Sequence, residues 1–288
     1  MRHCQRINAT QSPVFRVARP VPAGHHIFMN GSFRRLREVI CVLAGTFGAT
    51  VGTLTSASAQ LPVDIELVLA LDCSYSVDSE EFSLQVLGLS DAFRSPEVIR
   101  AISDGQFGRI GVSVIQWSSY QSQEQAIAWS LVSGGDSAIA LSSRIANMPR
   151  VTAEGATSIS GALAAALDAF QRSPFSGSRR VIDVSGDGRN NSGPELAILR
   201  AQVLAQNITI NGLAILNDVP TLDYYYRQQL IGGPAAFVMR ANDYDDYVRA
   251  IRLKLLKEIR SFPISDSGDD ETDGLAYLLS RPHIPPAQ

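Results

Sequence analysis

The sequence predicts an α/β fold: a doubly wound sheet with helices on both faces. Three observations carry that prediction. From residue 63 onward, short runs rich in Val, Ile and Leu alternate with segments whose apolar residues recur every three or four positions. Several of the runs are nearly continuous, the pattern of strands covered on both sides. The 288 residues are 45% hydrophobic, 18% charged and 7% aromatic, which fits a soluble globular protein and excludes collagen-like or wholly disordered classes.

The elements follow in order. Residues 63–71 (VDIELVLAL) form the first strand, which stops at Asp72. Over residues 79–102, Phe82, Val86, Leu89 and Phe93 mark an amphipathic helix, and Asp78 with Glu81 makes a capping pair at its start. Residues 109–117 (RIGVSVIQW) read as a strand, 125–131 as a shorter, more polar one, and 136–148 as a helix. A loop with Gly155 and Thr157 precedes a helix marked by Ile159, Leu163, Leu167 and Phe170, whose alanines suit close packing on a sheet. Residues 180–185 (RVIDVS) are a strand, 194–206 a helix, 208–216 a strand, 222–230 a helix, 236–239 a strand and 244–259 the final helix. Strands separated by helices pair in parallel, and ligands of such sheets bind outside the carboxyl ends of the strands.

Both ends of the chain read differently from this body. Residues 29–59 look like a signal peptide: Arg34, Arg35 and Arg37 supply a basic region, 39–54 an apolar stretch, and Ala57-Ser58-Ala59 a small-residue cleavage site. The mature chain is expected to begin near Gln60, exported to the periplasm or secreted. A membrane anchor is the alternative, but the stretch is short and broken by Gly45, Gly48 and Gly52, so no stable span is expected in the mature chain. Residues 1–28 are read as an N-terminal extension ahead of a true start at Met29. The body is read as one domain over 60–260. Residues 261–288 are read as a disordered tail, because Asp266, Asp269, Asp270, Glu271 and Asp273 cluster among Ser and Gly and three prolines follow. Their spacing does not fit an EF-hand.

Composition also excludes function classes. Without residues 1–59 the chain keeps 18 basic and 27 acidic residues, a net charge of −9, so nucleic-acid binding is not expected. Cys73 is then the only cysteine, which rules out an intrachain disulfide. The one remaining histidine, His283, lies in the Pro-rich tail, so no Ser-His or Cys-His machinery is expected in the domain.

The chemistry gathers where strands end. Directly after the first strand stands Asp72-Cys73-Ser74-Tyr75-Ser76, in which alternate residues point the same way and present three oxygens to one point. The strand over 180–185 runs into another acidic turn, Ser185-Gly186-Asp187-Gly188, and Thr157 lies in the loop before the intervening helix. In a doubly wound sheet these loops share one rim. Hard divalent cations such as Mg2+ take oxygen ligands of this kind.

The constellation Asp72, Ser74, Ser76, Thr157 and Asp187 resembles the metal-ion-dependent adhesion site of von Willebrand factor A-type domains. The resemblance covers about residues 63–259 and implies a Rossmann-like, mostly parallel sheet. It further implies that the hydroxyls bind the metal, that the acids bind it directly or through water, and that an acidic group of a partner completes the shell. The segments RVIDVSGDGRNNSG (180–193), ITINGLAIL (208–216) and YYRQQLIGGPAAFV (225–238) look like an uncharacterised family of secreted bacterial proteins built on this domain. One departure stands in the motif: the family's Asp-Gly turn commonly follows Thr or Ser directly, whereas here Gly186 intervenes.

Other residues keep open readings. Asp72 and Asp187 could cap turns instead of binding metal. Asp183, inside an apolar strand, is either an acceptor behind the metal site or a buried hydrogen-bonding residue. Asn190 and Asn191 orient ligands or shape a loop. Cys73 points away from the metal and reads as a small buried hydrophobe. Tyr224, Tyr225 and Tyr226 either pack a helix or face a partner. The functional expectation is an exported module that holds Mg2+ or Mn2+ and captures a carboxylate on a partner protein. The alternatives are a metal-free scaffold and a Mg2+-dependent phosphoryl-transfer enzyme with Asp72 as nucleophile. The enzyme is disfavoured because no second Asp stands two residues after Asp72 and no basic residue follows to cradle a phosphate.

Overall fold

The computed structural model describes residues 60–260. The segments read from the sequence as an N-terminal extension, a signal peptide and a disordered tail lie outside them. Within them the chain runs β1 (Leu61–Asp72), α1 (Ser79–Arg94), α2 (Pro96–Ser103), β2 (Ile110–Trp117), β3 (Gln123–Val132), α3 (Gly135–Ala146) and α4 (Ile159–Gln171). It continues as β4 (Phe175–Gly186), α5 (Leu196–Ala205), β5 (Ile208–Ile215), α6 (Leu222–Tyr225), one π-helical turn (Tyr226–Leu230), β6 (Val238–Ala241) and α7 (Tyr244–Arg260).

The six strands form one sheet in the order β3-β2-β1-β4-β5-β6. All neighbours pair in parallel except β2 with β3, which are antiparallel because only a five-residue turn joins them. Strand parity splits the core into two layers. Ile65, Leu67, Leu69 and Leu71 of β1, Val112 and Val114 of β2, Val181 of β4 and Leu213 of β5 pack under α1, α2, α3 and α7. Val68 and Ala70, Ile115 and Trp117, Ile182 and Val184, and Ile210 and Ala214 face α4, α5 and α6. β1 and β4 are the central strands and are therefore apolar on both faces, which explains their continuous runs.

The helix read over 222–230 is a short α-helix followed by a π-helical turn, several other bounds shift by one or two residues, and three differences have a visible cause. The helix expected over 79–102 is two, because Ser95 turns extended, accepts from the Val98 N–H, and starts α2 with Pro96 in its first turn. β4 begins at Phe175, five residues before the apolar stretch, since Leu61 to Ile65 of β1 continue the ladder there. The last strand is Val238–Ala241, two residues later than read, set by its pairing with Gly212 to Ile215. At α1 the expectation holds in detail: Asp78 accepts from the Glu80 and Glu81 N–H groups and Glu81 accepts from the Asp78 N–H.

Candidate functional site

The strand order places the site. Successive connections from β1 to β2 and from β4 to β5 leave the sheet in opposite directions, so a crevice opens between the carboxyl ends of β1 and β4. Asp72 is the last residue of β1, and Asp187 follows the last residue of β4. The register pairs Leu71 with Ser185, which sets Asp72 beside Gly186. Both carboxylates are fully buried.

The loop after β1 folds over them. The Ser74 N–H donates to Asp72 Oδ1 at 2.8 Å, Ser74 Oγ and Ser76 Oγ lie 3.2 Å apart, and Ser76 Oγ donates to Asp187 Oδ1 at 2.7 Å. Thr157 comes in from the loop before α4 and lies against Gly188: a Cβ there would sit 3.1 Å from Thr157 Oγ1. The five oxygen-bearing residues read from the sequence thus meet at one rim. The intervening Gly186 has a steric reason, since a Cβ on it would lie 2.7 Å from Asp72 Oδ2 and 3.0 Å from the Tyr226 hydroxyl.

The electrostatics are those of two buried acids without an ion-pair partner among the described residues. Burial pushes the Asp72 carboxyl from an ordinary 3.8 up to about 8; the Asp187 charge adds to the rise, and the Ser74 bonds oppose it. Asp187 is also raised, by burial, with the Ser76 and Tyr244 hydroxyls pulling back. Among the described residues no Lys or Arg forms an ion pair with either carboxylate. Asp72 Oδ2 is buried and accepts no hydrogen bond. No group of three or more His, Cys, Asp or Glu side chains suited to a metal occurs among the described residues. Here the oxygens come from two carboxylates and three hydroxyls, a donor set that fits a hard divalent cation.

Several supports were not legible in the sequence. Arg150 donates to the carbonyls of Val77, Cys73 and Ser74 at 2.9, 2.8 and 3.3 Å and so pins the loop after β1. Tyr244, the first residue of α7, donates its hydroxyl to Asp187 Oδ2 at 2.9 Å. Nothing in the spacing marks either residue, because each reaches the site across the fold. Asn190 and Asn191 shape loops: Asn191 Oδ1 accepts from the Thr157 N–H and Asn190 Oδ1 from the Ser160 N–H. Cys73 is buried and its thiol is pushed up to about 12, first by burial and then by the Asp72 charge. The tyrosines divide, Tyr226 being buried in the core and Tyr224 exposed. Asp183 pairs with Lys254 of α7 instead of backing the Asp72–Asp187 pair.

The chain resembles solved structures in fold. Proximal thread matrix protein 1 from the mussel byssus superimposes with a TM-score of 0.52 at 15% identity, over 68% of this chain and 47% of that one. A von Willebrand factor type A protein from Catenulispora acidiphila gives 0.50 at 18% identity, over 69% and 43%. The chain therefore spans about half the length of these solved proteins. No curated protein matches the sequence. A family model described as protein of unknown function, DUF1194, matches residues 62–263. With that match over the whole described domain, and with this sheet order and rim, the chain belongs to the DUF1194 family and has the von Willebrand factor A-type fold.

Proposed function

We propose that the protein is an exported binding module in which Asp72, Ser74, Ser76, Thr157 and Asp187 hold Mg2+ or Mn2+ and thereby capture an acidic group of a protein partner. One observation carries the reading: Asp72 Oδ2 is buried, accepts nothing, and lies in a crevice shared with a second carboxylate. A buried carboxylate with one oxygen unpartnered beside a second acid costs roughly several kcal/mol, which a bound cation would offset. When bound, the ion would supply positive charge and a coordination position for the partner's carboxylate. The chain's residues orient the donors: Arg150 fixes the loop backbone, Tyr244 fixes Asp187, and Gly186 lets Asp72 approach.

The surface around the rim supports a protein partner. Tyr75 stands 73% exposed between the two serines, and Tyr120 and Tyr224 are exposed on the segments after β2 and β5. Exposed tyrosines are enriched where proteins bind proteins. Nucleophilic catalysis has little support, since Cys73 is buried with a raised pKa and residues 60–260 contain no histidine. Among the described residues no helix is long and apolar enough to cross a membrane.

Calorimetric titration of the purified protein with Mg2+ and Mn2+ tests the reading. Binding is expected in the wild type and lost in Asp72→Ala; a wild type that takes up neither ion supports the metal-free scaffold instead. Hydrolysis of a phosphoester by the wild type but not by the variant would revive the enzyme. Export is tested by N-terminal sequencing of secreted material, which should begin near Gln60.

A further inference from the structure

A second buried acidic pair lies below the first. Lys254 of α7 sets its Nζ 2.6 Å from Asp183 Oδ1 on β4 and 2.5 Å from Glu258 Oε1 one turn along its own helix. All three side chains are sealed, none more than 1% exposed. The Phe237 ring centroid lies 5.2 Å from Nζ, and Tyr247 closes the same layer. Asn211 holds Glu258 in place: its Nδ2 donates to Glu258 Oε1 at 3.1 Å while its Oδ1 accepts from the Phe237 N–H at 3.0 Å. Despite the 2.6 Å approach, neither oxygen of Asp183 accepts a hydrogen bond. The amine therefore reaches the carboxyl group away from the directions a hydrogen bond requires.

We propose that Lys254 and Asp183 condense into an intramolecular amide, a covalent strut between α7 and β4, with Glu258 carrying the protons. The step begins when the ammonium proton passes to Asp183, which leaves a neutral amine facing a neutral carboxylic acid. The nitrogen lone pair attacks Asp183 Cγ and forms the C–N bond. Glu258 accepts the proton released from nitrogen and returns it to the hydroxyl on Cγ. The C–O bond then breaks, one water leaves, and Glu258 is again a carboxylate. The sum is ammonium plus carboxylate giving amide plus water, with no oxidant or cofactor. Held contact supplies the rate, because the two groups meet without a diffusional step. Burial, aided by the Glu258 charge and opposed by Lys254, pushes the Asp183 carboxyl up to about 7, which populates its reactive acid form.

The consequence is a fixed α7. Cys73 is the only cysteine among the described residues, so a disulfide within them cannot serve this purpose. The same helix begins with Tyr244, which holds Asp187, so the strut would also steady the rim.

Tryptic digestion of the purified full chain with mass spectrometry decides the matter. An amide at Lys254 blocks cleavage there, so VIDVSGDGR (181–189) and LKLLK (253–257) are expected as one branched peptide, lighter than their sum by one water. Recovery of 181–189 alone together with cleavage after Lys254 overturns the proposal. Asp183→Ala should abolish the branched peptide. Glu258→Gln keeps both reacting groups and should leave them unlinked in a protein of unchanged circular dichroism; linkage at the wild-type level would overturn the role given to Glu258. The wild-type digest is decisive even if both variants fail to fold.

Discussion

Two buried pairs of carboxylates lie near each other along β4, and the protein treats them in opposite ways. Asp183 and Glu258 enclose Lys254, a partner that the chain itself supplies, among buried side chains. Asp72 and Asp187 sit at the end of the strand with hydroxyls around them and no ion pair among the described residues. Both arrangements face the same cost of burying like charges. The lower pair meets it internally and so belongs to the architecture. The upper pair has no ion-pair partner among the described residues, and under the proposed function an ion from outside the chain meets its charge.

Breaking the lower pair should have the largest effect. Lys254→Met strands two carboxylates in the core and is expected to lose about 3–5 kcal/mol in urea unfolding; a loss below about 1 kcal/mol would mean the cluster is not structural. The upper pair should respond with the opposite sign. Asp72 titrates near 8 in the folded protein against 3.8 ordinarily, so the folded state holds an extra proton between those values. Without metal, stability therefore falls as pH rises through that window. Asp72→Asn removes the effect and should gain roughly 2–4 kcal/mol at pH 8 in chelator. Thermal unfolding at pH 5 and pH 8 checks this, and a wild type with a flat profile would contradict it.

Finer tests sharpen the contrast. Tyr244→Phe keeps the ring and deletes the donor to Asp187, and is expected to weaken Mg2+ binding about 10-fold to 100-fold by calorimetry. An unchanged affinity would remove Tyr244 from the site's support. The smallest effect belongs to Asp78→Ala, which opens the capping box of α1 and should cost about 1 kcal/mol in urea unfolding. It touches neither pair, so Mg2+ affinity and the tryptic pattern around Lys254 should stay as in the wild type.

Much of this was legible in the chain. The continuous apolar runs of β1 and β4 reported burial on both faces, and alternation with helices reported parallel pairing, because both signals are local periodicities. The D-x-S-x-S motif and the Ser185–Gly188 turn were legible for the same reason: they stand where apolar runs stop. The split of α1 from α2 was missed although Ser95-Pro96 carries a cap signal, since the apolar spacing runs across it without a break. Lys254 was not legible at all. Within YDDYVRAIRLKLLKEIR it reads as one more basic residue on an amphipathic helix, and only the packing of α7 on β4 brings it to Asp183.

The sequence alone determined the fold class, the order of the elements and which loops carry the oxygen-bearing side chains that meet at the rim, because periodicity and turn chemistry act over a few residues. Tertiary structure decided which acids meet a lysine of the chain and which do not. That outcome depends on side chains tens to more than a hundred residues apart meeting in a region of low dielectric, and no local pattern encodes such a meeting.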